Sequence, residues 1–392
     1  MRLYYASMAE SVLAGRGFLP AYHTNFIPPP GQALFILALK WIFPGADYQH
    51  MRSVQAVVSI LTLPLAAAVA GRLGGPWAGV LCAWLLALNY RHAVWVGILL
   101  PETNYVFLLF AFGWALVDGL QKAGPRRLLL AGALLGAACL FRPLPVLLPF
   151  VLAGVLLLQR GLASSRAALA LLAGTLVVVS PWLLRNRLHY GAWLPISTNG
   201  GVLLALSNSP ALDSAREDMI FWDDLYGQPY YRDPEIDARF SEARDLDGKA
   251  EENLKDRAYM GKALRYVASQ PGHFLRNYLF KLGNFLRHPG RAGVGPGEGA
   301  PWLFRELAPL SLGVSIVGLL GLGYVLAFRG REPAASALAA TVLYLWAVGA
   351  LYHITRDGRM DTPFKLLLTI PASLVLVEAW SAAVRRLRSR GA

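Results

Sequence analysis

The chain has 392 residues, of which 55% are hydrophobic and only 16% charged, with a mean hydropathy of +0.43. Soluble globular domains carry about a quarter charged residues, so this composition excludes an ordinary soluble protein. The net charge of +13 indicates lysine and arginine held on the cytoplasmic side of a membrane rather than nucleic-acid binding.

The first 50 residues contain no apolar run long enough to cross a membrane. Leu3 to Ala14 favours an amphipathic helix, which carries Tyr5 and Glu10. The run from Ala33 to Phe43 follows Pro28-Pro29-Pro30-Gly31 and has 11 residues. Because a crossing needs about 20 residues, we predict a partly inserted or re-entrant helix there.

The rest of the chain predicts an all-α, polytopic bundle of about nine spanning helices, since its apolar residues come in long blocks bounded by breakers. The block from 76 to 121 is too long for one crossing and is divided at residues 89–92 and at Pro101-Glu102. The predicted spans cover residues 53–71, 76–90, 102–121, 127–141, 143–159, 166–184, 306–328, 334–353 and 363–383.

The connectors between these spans alternate in charge. The basic ones contain Arg72, Lys122, Arg126, Arg127, Arg160, Arg166, Arg329, Arg331 and the arginines of the C-terminal tail. Such residues favour the cytoplasmic side, which leaves residues 1–50, the loop from about 187 to 305 and the turn 353–362 outside. We therefore expect an outward juxtamembrane segment (1–50), an N-terminal transmembrane bundle (51–186), an outward loop (187–305), and C-terminal transmembrane helices with a basic cytoplasmic tail (306–392).

An outward N-terminus needs a preceding signal, and residues 1–30 contain neither a signal peptide nor a sufficient apolar run. The sequence therefore predicts that the natural reading frame extends upstream and encodes one more spanning helix.

The outward loop is the one soluble-looking part of the chain, with 14 of the 24 acidic residues between 210 and 256. A solvated loop is the simplest interpretation, and a divalent cation held by Asp223 and Asp224 is the alternative. Lys249 to Gln270 predicts a helix ended by Pro271. His273 to His288 predicts an amphipathic helix in the headgroup plane, near lipid phosphate, or a lid packed on the bundle.

Several polar residues lie where predicted spans meet the outer interface. Glu102 starts a span among apolar neighbours, which makes it a candidate catalytic carboxylate; the alternative is a helix N-terminal acid that interacts with the helix dipole. Arg142 and Arg185-Asn186 lie outside, against the positive-inside trend. A guanidinium there can hold a phosphate through two hydrogen bonds, whereas simple snorkelling to the interface is the alternative.

The histidines and cysteines predict no metal site. All seven histidines fall on the outward side, without the spacing of metal ligands. Cys82 and Cys139 lie inside apolar blocks, as expected of small packing residues.

These residues follow the order of motifs in a known family. The chain resembles the polytopic lipid-linked-sugar glycosyltransferases of the C superfamily, which include the protein O-mannosyltransferases and the lipid A aminoarabinose transferase (glycosyltransferase family 39). Each motif is weak alone, but their shared order covers nearly the full length. The matching segments are Tyr5-Ala6 to Gly17-Phe18, Pro29-Pro30-Gly31, Arg52 with Gln55, Pro101-Glu102, Phe141-Arg142-Pro143, Pro181-Trp182 with Arg185-Asn186, Pro195 to Gly201, Asn208-Ser209-Pro210, and Arg359-Met360 before Pro363.

Two positions depart from the family pattern. Its members carry a catalytic aspartate in the first outer loop after a first spanning helix, and this chain begins without either. Members also often place lysine or arginine just before the double proline, where this chain has Ile27-Pro28.

The resemblance implies transfer of a sugar from polyprenyl phosphate to a lipid, glycan or protein hydroxyl, on the outer face of the bacterial cytoplasmic membrane. A carboxylate deprotonates the acceptor, and arginine or lysine holds the leaving phosphate. The candidates are Glu102 and Glu10 for catalysis, Arg142, Arg185, Asn186, Arg359 and Lys281 for the donor, and Tyr5, His23, Arg91, His92 and Asn199 for the substrate cleft. No nucleotide-binding fingerprint is present in the sequence, which fits a lipid-linked rather than a nucleotide-linked donor.

Two other classes stay open. A transporter or flippase of lipid-linked sugars is also helical and carries intramembrane charges, but internal repeats and midplane charges typical of that class are not evident in the sequence. A truncated, inactive family member is the second alternative, since the family's aspartate is missing.

Overall fold

The computed structural model describes residues 4–18, 28–190, 193, 195–208, 235–236, 248–287, 302–352 and 361–390. Within these ranges the regular elements are all helices, which confirms the predicted all-α class. His23, Arg359, Asp223 and Asp224 lie outside the described residues.

The described part of the N-terminal half, residues 4–18 and 28–190, contains nine α-helices. They are α1 (Tyr4–Leu13), α2 (Gly31–Ile42), α3 (Tyr48–Gly74), α4 (Pro76–Ala87), α5 (Tyr90–Val94), α6 (Glu102–Gln121), α7 (Pro125–Phe141), α8 (Leu148–Arg160) and α9 (Ser165–Tyr190). Two starts have a side-chain cap: Asp47 Oδ1 accepts from the backbone N–H of His50 at 2.9 Å, and Asn89 Oδ1 accepts from that of Arg91 at 3.2 Å. Asn89 thus supplies the break predicted within residues 76–121.

The described part of the C-terminal half contributes seven further α-helices. They are α10 (Gly200–Ser207), α11 (Gly248–Ser269), α12 (Pro271–Arg287), α13 (Trp302–Phe328), α14 (Pro333–Leu351), α15 (Thr362–Leu367) and α16 (Thr369–Arg390). The helices predicted at 249–270 and 273–288 are α11 and α12, within two residues at each end.

Each predicted span corresponds to a helix, although not every helix is long. Among the described residues, six stretches are long and apolar enough to cross a membrane: Tyr48–Gly74, Glu102–Gln121, Leu148–His189, Pro309–Phe328, Pro333–Leu351 and Thr362–Ser389. The third stretch has 42 residues and contains both α8 and α9. Shorter apolar helices are α2 and α4. The helix for the predicted span 143–159 is α8, which begins at Leu148 because a proline-containing turn precedes it.

Helices α7 and α9 cross at unusually close range. A Cβ atom added to Gly132 would lie 2.0 Å from the carbonyl oxygen of Leu171, and one added to Gly174 would lie 2.1 Å from that of Leu129. Gly136 is similarly close to α9. Small residues of this kind let membrane helices approach closely and gain van der Waals contact.

The central helix is α6, most of whose residues are buried. Its two ends lie at two polar ends of the bundle. We call these the Glu102 end and the Asp118 end. The rise of 1.5 Å per residue separates the two carboxylates by about 24 Å along the axis. At the Asp118 end, Arg72, Lys122 and Arg127 contact the Asp118 carboxylate.

Candidate functional site

The Glu102 end contains a buried ion pair between α6 and α7. Glu102 is the first residue of α6, and Arg142 follows the end of α7 in an extended conformation before Pro143. Arg142 Nη2 donates to Glu102 Oε1. The Glu102 side chain is 1% exposed and that of Arg142 16%. The two outer-interface candidates that stood out most clearly in the sequence therefore contact each other.

The N-terminal helix α1 carries two candidate site residues, Tyr5 and Glu10, and only Tyr5 lies near this pair. Tyr5 interacts electrostatically with Arg142 and packs against residues of α2 and α3. Glu10 instead forms a surface ion pair with Lys40 at 3.2 Å, and its side chain is largely exposed. Glu10 is thus separate from the buried Glu102–Arg142 contact.

A second charged cluster lies between α5 and α15. Arg91 Nη1 donates to Asp361 Oδ1 at 3.1 Å, and Lys365 Nζ lies 2.8 Å from Asp361 Oδ2. All three side chains are buried. Arg91 was predicted from the sequence as a cleft residue, whereas its two partners were not. They are an acid and a base four residues apart at the start of the last predicted span.

His92, next to Arg91, is also buried, and its Nε2 lies 3.1 Å from Ser59 Oγ. Burial lowers the pKa of His92 to about 4. The imidazole is therefore neutral near pH 7 and takes part as a hydrogen-bonding group rather than a cation.

The region around Arg185 and Asn186, near the end of α9, forms hydrogen bonds to the segment that begins at residue 195. Arg185 Nη1 donates to Asn186 Oδ1 at 3.1 Å, and its guanidinium lies over the Trp182 ring at 5.0 Å. Asn186 Nδ2 donates to the carbonyl oxygen of Pro195 at 3.2 Å, and Trp182 Nε1 donates to that of Ile196 at 3.2 Å. The segment that begins at residue 195 is thereby tied to the end of α9.

This segment leads through Asn199 into the short helix α10. Asn199 occupies the N-cap position, and its Oδ1 accepts from Ser197 Oγ at 2.7 Å. Asp256 of α11 then accepts at Oδ1 from the backbone N–H groups of Gly201 and Val202, at 2.8 and 3.0 Å. Burial raises the pKa of Asp256 to about 6.

Lys281 of α12 holds the other end of α10. Its ammonium donates to Ser207 O at 2.8 Å, Asn208 Oδ1 at 2.8 Å and Leu351 O at 3.3 Å. Burial lowers the pKa of Lys281 to about 7. Lys281 was predicted to contact the sugar donor, and in the structure its ammonium group donates hydrogen bonds to protein oxygens.

Metal ligation finds no support among the described residues, which contain no group of three His, Cys, Asp or Glu side chains that could hold an ion.

One family model matches part of the chain, less than half of its length. Residues 28–184 match the family model described as dolichyl-phosphate-mannose-protein mannosyltransferase. This match confirms the resemblance to the lipid-linked-sugar glycosyltransferases of the C superfamily, which the motifs predicted. No curated protein matches the chain in sequence.

Two solved structures then share the fold at low identity. The apo oligosaccharyltransferase of Archaeoglobus fulgidus has a TM-score of 0.55 and 13% identity, over 99% of this chain and 48% of that one. The same organism's AglB, in complex with an inhibitory peptide and a dolichol-phosphate, has a TM-score of 0.54 and 14% identity, over 99% and 47%. The chain thus spans about half the length of these proteins.

ArnT from Cupriavidus metallidurans bound to undecaprenyl phosphate has a TM-score of 0.42 and 15% identity, over 95% of this chain and 73% of that one.

Proposed function

We propose that this chain is a membrane glycosyltransferase that moves a sugar from a polyprenyl-phosphate donor to a hydroxyl group of a lipid, glycan or protein. The observation that carries the proposal is the buried Glu102–Arg142 pair, which lies within the residues matched by the mannosyltransferase family model. Ionisable residues buried in membrane proteins are costly and mark functional sites.

The pair offers the two charges that this reaction needs. The acceptor oxygen forms a bond to the anomeric carbon, and the bond from that carbon to the phosphate oxygen breaks. The acceptor proton passes to the Glu102 carboxylate, which acts as the general base. The polyprenyl phosphate leaves as an anion, whose charge Arg142 stabilises from its fixed position. Arg185, Asn186 and Arg359 are further candidate donor contacts.

The charge distribution supports an outward-facing site. Arg72, Lys122 and Arg127 meet at the Asp118 end, and basic residues of membrane proteins favour the cytoplasmic side. In the proposal the Glu102 end therefore faces outward, in the cytoplasmic membrane of a bacterium.

The test is a transfer assay with the purified chain in lipid nanodiscs. A set of radiolabelled sugars on polyprenyl phosphate is supplied together with lipid, glycan and peptide acceptors. We expect a labelled product with at least one donor. Absence of product with every donor would overturn the proposal, and movement of donor across vesicle membranes without transfer would favour the transporter alternative.

A further inference from the structure

A network of buried amide side chains surrounds the start of α6. From it we infer that Gln32, Gln55 and Asn104 are positioning residues that hold Glu102 against Arg142. The inference rests on the proposed function and names residues that act on the reaction through this pair.

Gln55 fixes the chain just before Glu102. This residue of α3 is fully buried, and its Nε2 lies within hydrogen-bond distance of three backbone carbonyl oxygens: Trp95 at 3.1 Å, Val96 at 3.3 Å and Ile98 at 2.8 Å. Buried carbonyl groups need donors, and the two N–H bonds of this amide nitrogen are shared among the three carbonyl oxygens of the turn. The turn leads through Pro101 directly into Glu102.

Gln32 and Asn104 close the network behind Glu102. Asn104, two residues into α6, donates from Nδ2 to Gln32 Oε1 at 3.0 Å, and Gln32 Nε2 donates to Gln55 Oε1 at 3.5 Å. All three amides are buried. The network therefore hydrogen-bonds to the chain before Glu102, at residues 95–98, and after it, at Asn104, and it anchors both sides to α2 and α3.

The start of α2 also sets the position of Arg142. A Cβ atom added to Gly31 would lie 2.7 Å from the ring of Phe141 and 2.8 Å from the carbonyl oxygen of Leu140. Neighbouring residues of α2 thus contact both partners' helices: Gly31 touches the end of α7, and Gln32 reaches the start of α6. The contacts of Gly31 and Gln32 therefore set the positions of both members of the ion pair.

Amide groups suit this role because each supplies both donors and an acceptor without adding charge near the pair. Replacing one of them by an apolar residue leaves its buried partners without a hydrogen bond, and the start of α6 loses its support.

The test compares Gln32→Leu with the matched control Thr175→Val, which removes a buried hydrogen bond from Thr175 Oγ1 to Gly132 O, 3.1 Å, between α7 and α9. We expect Gln32→Leu to lower kcat at least tenfold and to change KM for the donor less than twofold. Thr175→Val should leave both within twofold. Equal kcat in Gln32→Leu and the wild type would overturn the inference.

A length swap provides the rescue. Gln32→Asn and Asn104→Gln each misplace one amide by a methylene group, whereas the double variant restores the total length. We expect each single variant to lose at least fivefold in kcat and the double variant to recover at least half of the wild-type value. A double variant no better than the worse single variant would count against the network.

A second measurement is independent of activity. The shift in unfolding midpoint caused by Glu102→Gln is measured in the wild-type and Gln32→Leu backgrounds. If Gln32 holds the ion pair, the shift is smaller in the Gln32→Leu background, while Thr175→Val leaves it unchanged. Additive shifts overturn the inference even in an active enzyme. Coupled shifts in a chain that transfers no sugar support the positioning contact and overturn only the proposed function.

Discussion

The two ends of α6 each bury a carboxylate, but they surround it with different neighbours. Asp118 is contacted by Arg72, Lys122 and Arg127, whose side chains are 30%, 60% and 44% exposed. Glu102 is contacted by Arg142, which is 16% exposed, and lies next to buried amides. Solvent and salt therefore screen the cations of the Asp118 end far more than the arginine of the Glu102 end.

This difference indicates a structural role for the Asp118 end and a functional role for the Glu102 end. At the Asp118 end the carboxylate joins cations from α3, α6 and the start of α7, which is typical of a basic membrane boundary. At the Glu102 end, charged groups and amides are buried together at considerable desolvation cost, which a purely structural role does not require.

The largest expected effect is on stability, at the buried charged cluster between α5 and α15. Asp361→Asn removes the carboxylate that Arg91 and Lys365 share in the protein interior, so we expect the free energy of unfolding to fall by about 3–5 kcal/mol. Denaturant unfolding in micelles measures it. Glu378→Gln is the control, because its pair with Arg385 is exposed at 3.2 Å; a similar loss in that variant would contradict the comparison.

The next effect is on activity. Glu102→Gln and Arg142→Ala should each lower sugar transfer at least tenfold, or about 1.4 kcal/mol of barrier, in folded protein. The controls are Glu332→Gln and Arg329→Ala, which disrupt another glutamate–arginine pair beside the connector between α13 and α14. Unchanged transfer in the Glu102 and Arg142 variants would return both residues to a structural role.

A smaller effect is expected at the other end. Asp118→Asn should reduce the free energy of unfolding by about 1 kcal/mol, because its cation partners stay solvated. The transfer rate per folded molecule should match the wild type. A tenfold loss of transfer would mean that the Asp118 end also takes part in the reaction.

The last effect is a pH dependence of the contacts around α10, with slopes of opposite sign in two separate pH ranges. The pKa of Asp256 is raised from 3.8 to about 6 by burial, so the stability that its protonated form contributes below pH 3.8 is lost as the pH rises through 6. The pKa of Lys281 is lowered from 10.5 to about 7 by burial, so the stability contributed by its neutral form above pH 10.5 is lost as the pH falls through 7.

The contribution of these two groups is therefore lowest between about pH 6 and 7. Thermal unfolding of the wild type across pH 4 to 10 should show this minimum, and the double variant Asp256→Asn, Lys281→Met should flatten it. A wild-type profile as flat as that of the double variant would contradict the assignment.

Much of the helix pattern could be predicted from the sequence, because long apolar blocks and prolines fix where long helices begin and end. α5 and α10 were missed, since helices of five and eight residues are too short to show a periodic pattern and depend on tertiary contacts. The predicted span 363–383 covers both α15 and α16, and the break between them at Leu368 was not predicted. α12 was predicted, but its orientation was not. It buries Asn277 and Lys281 and exposes Leu275 and Leu279, while it packs on α14 through Trp346.

The site could be predicted only in part. Glu102 and Arg142 stand out because a charge in apolar surroundings is visible in the sequence. Their mutual contact depends on how α6 and α7 pack, which the sequence does not reveal. Gln32 and Asn104 were missed because neutral amides are common near membrane interfaces and gain a role only through their partners.

The close crossing of α7 and α9 has a mechanical consequence. A carbonyl oxygen of one helix fills the space beside each of Gly132, Gly136 and Gly174, so the two helices have no room to slide past each other. Arg142, which follows the end of α7, and Asn186, which lies in the last two turns of α9, are therefore held at a constant separation.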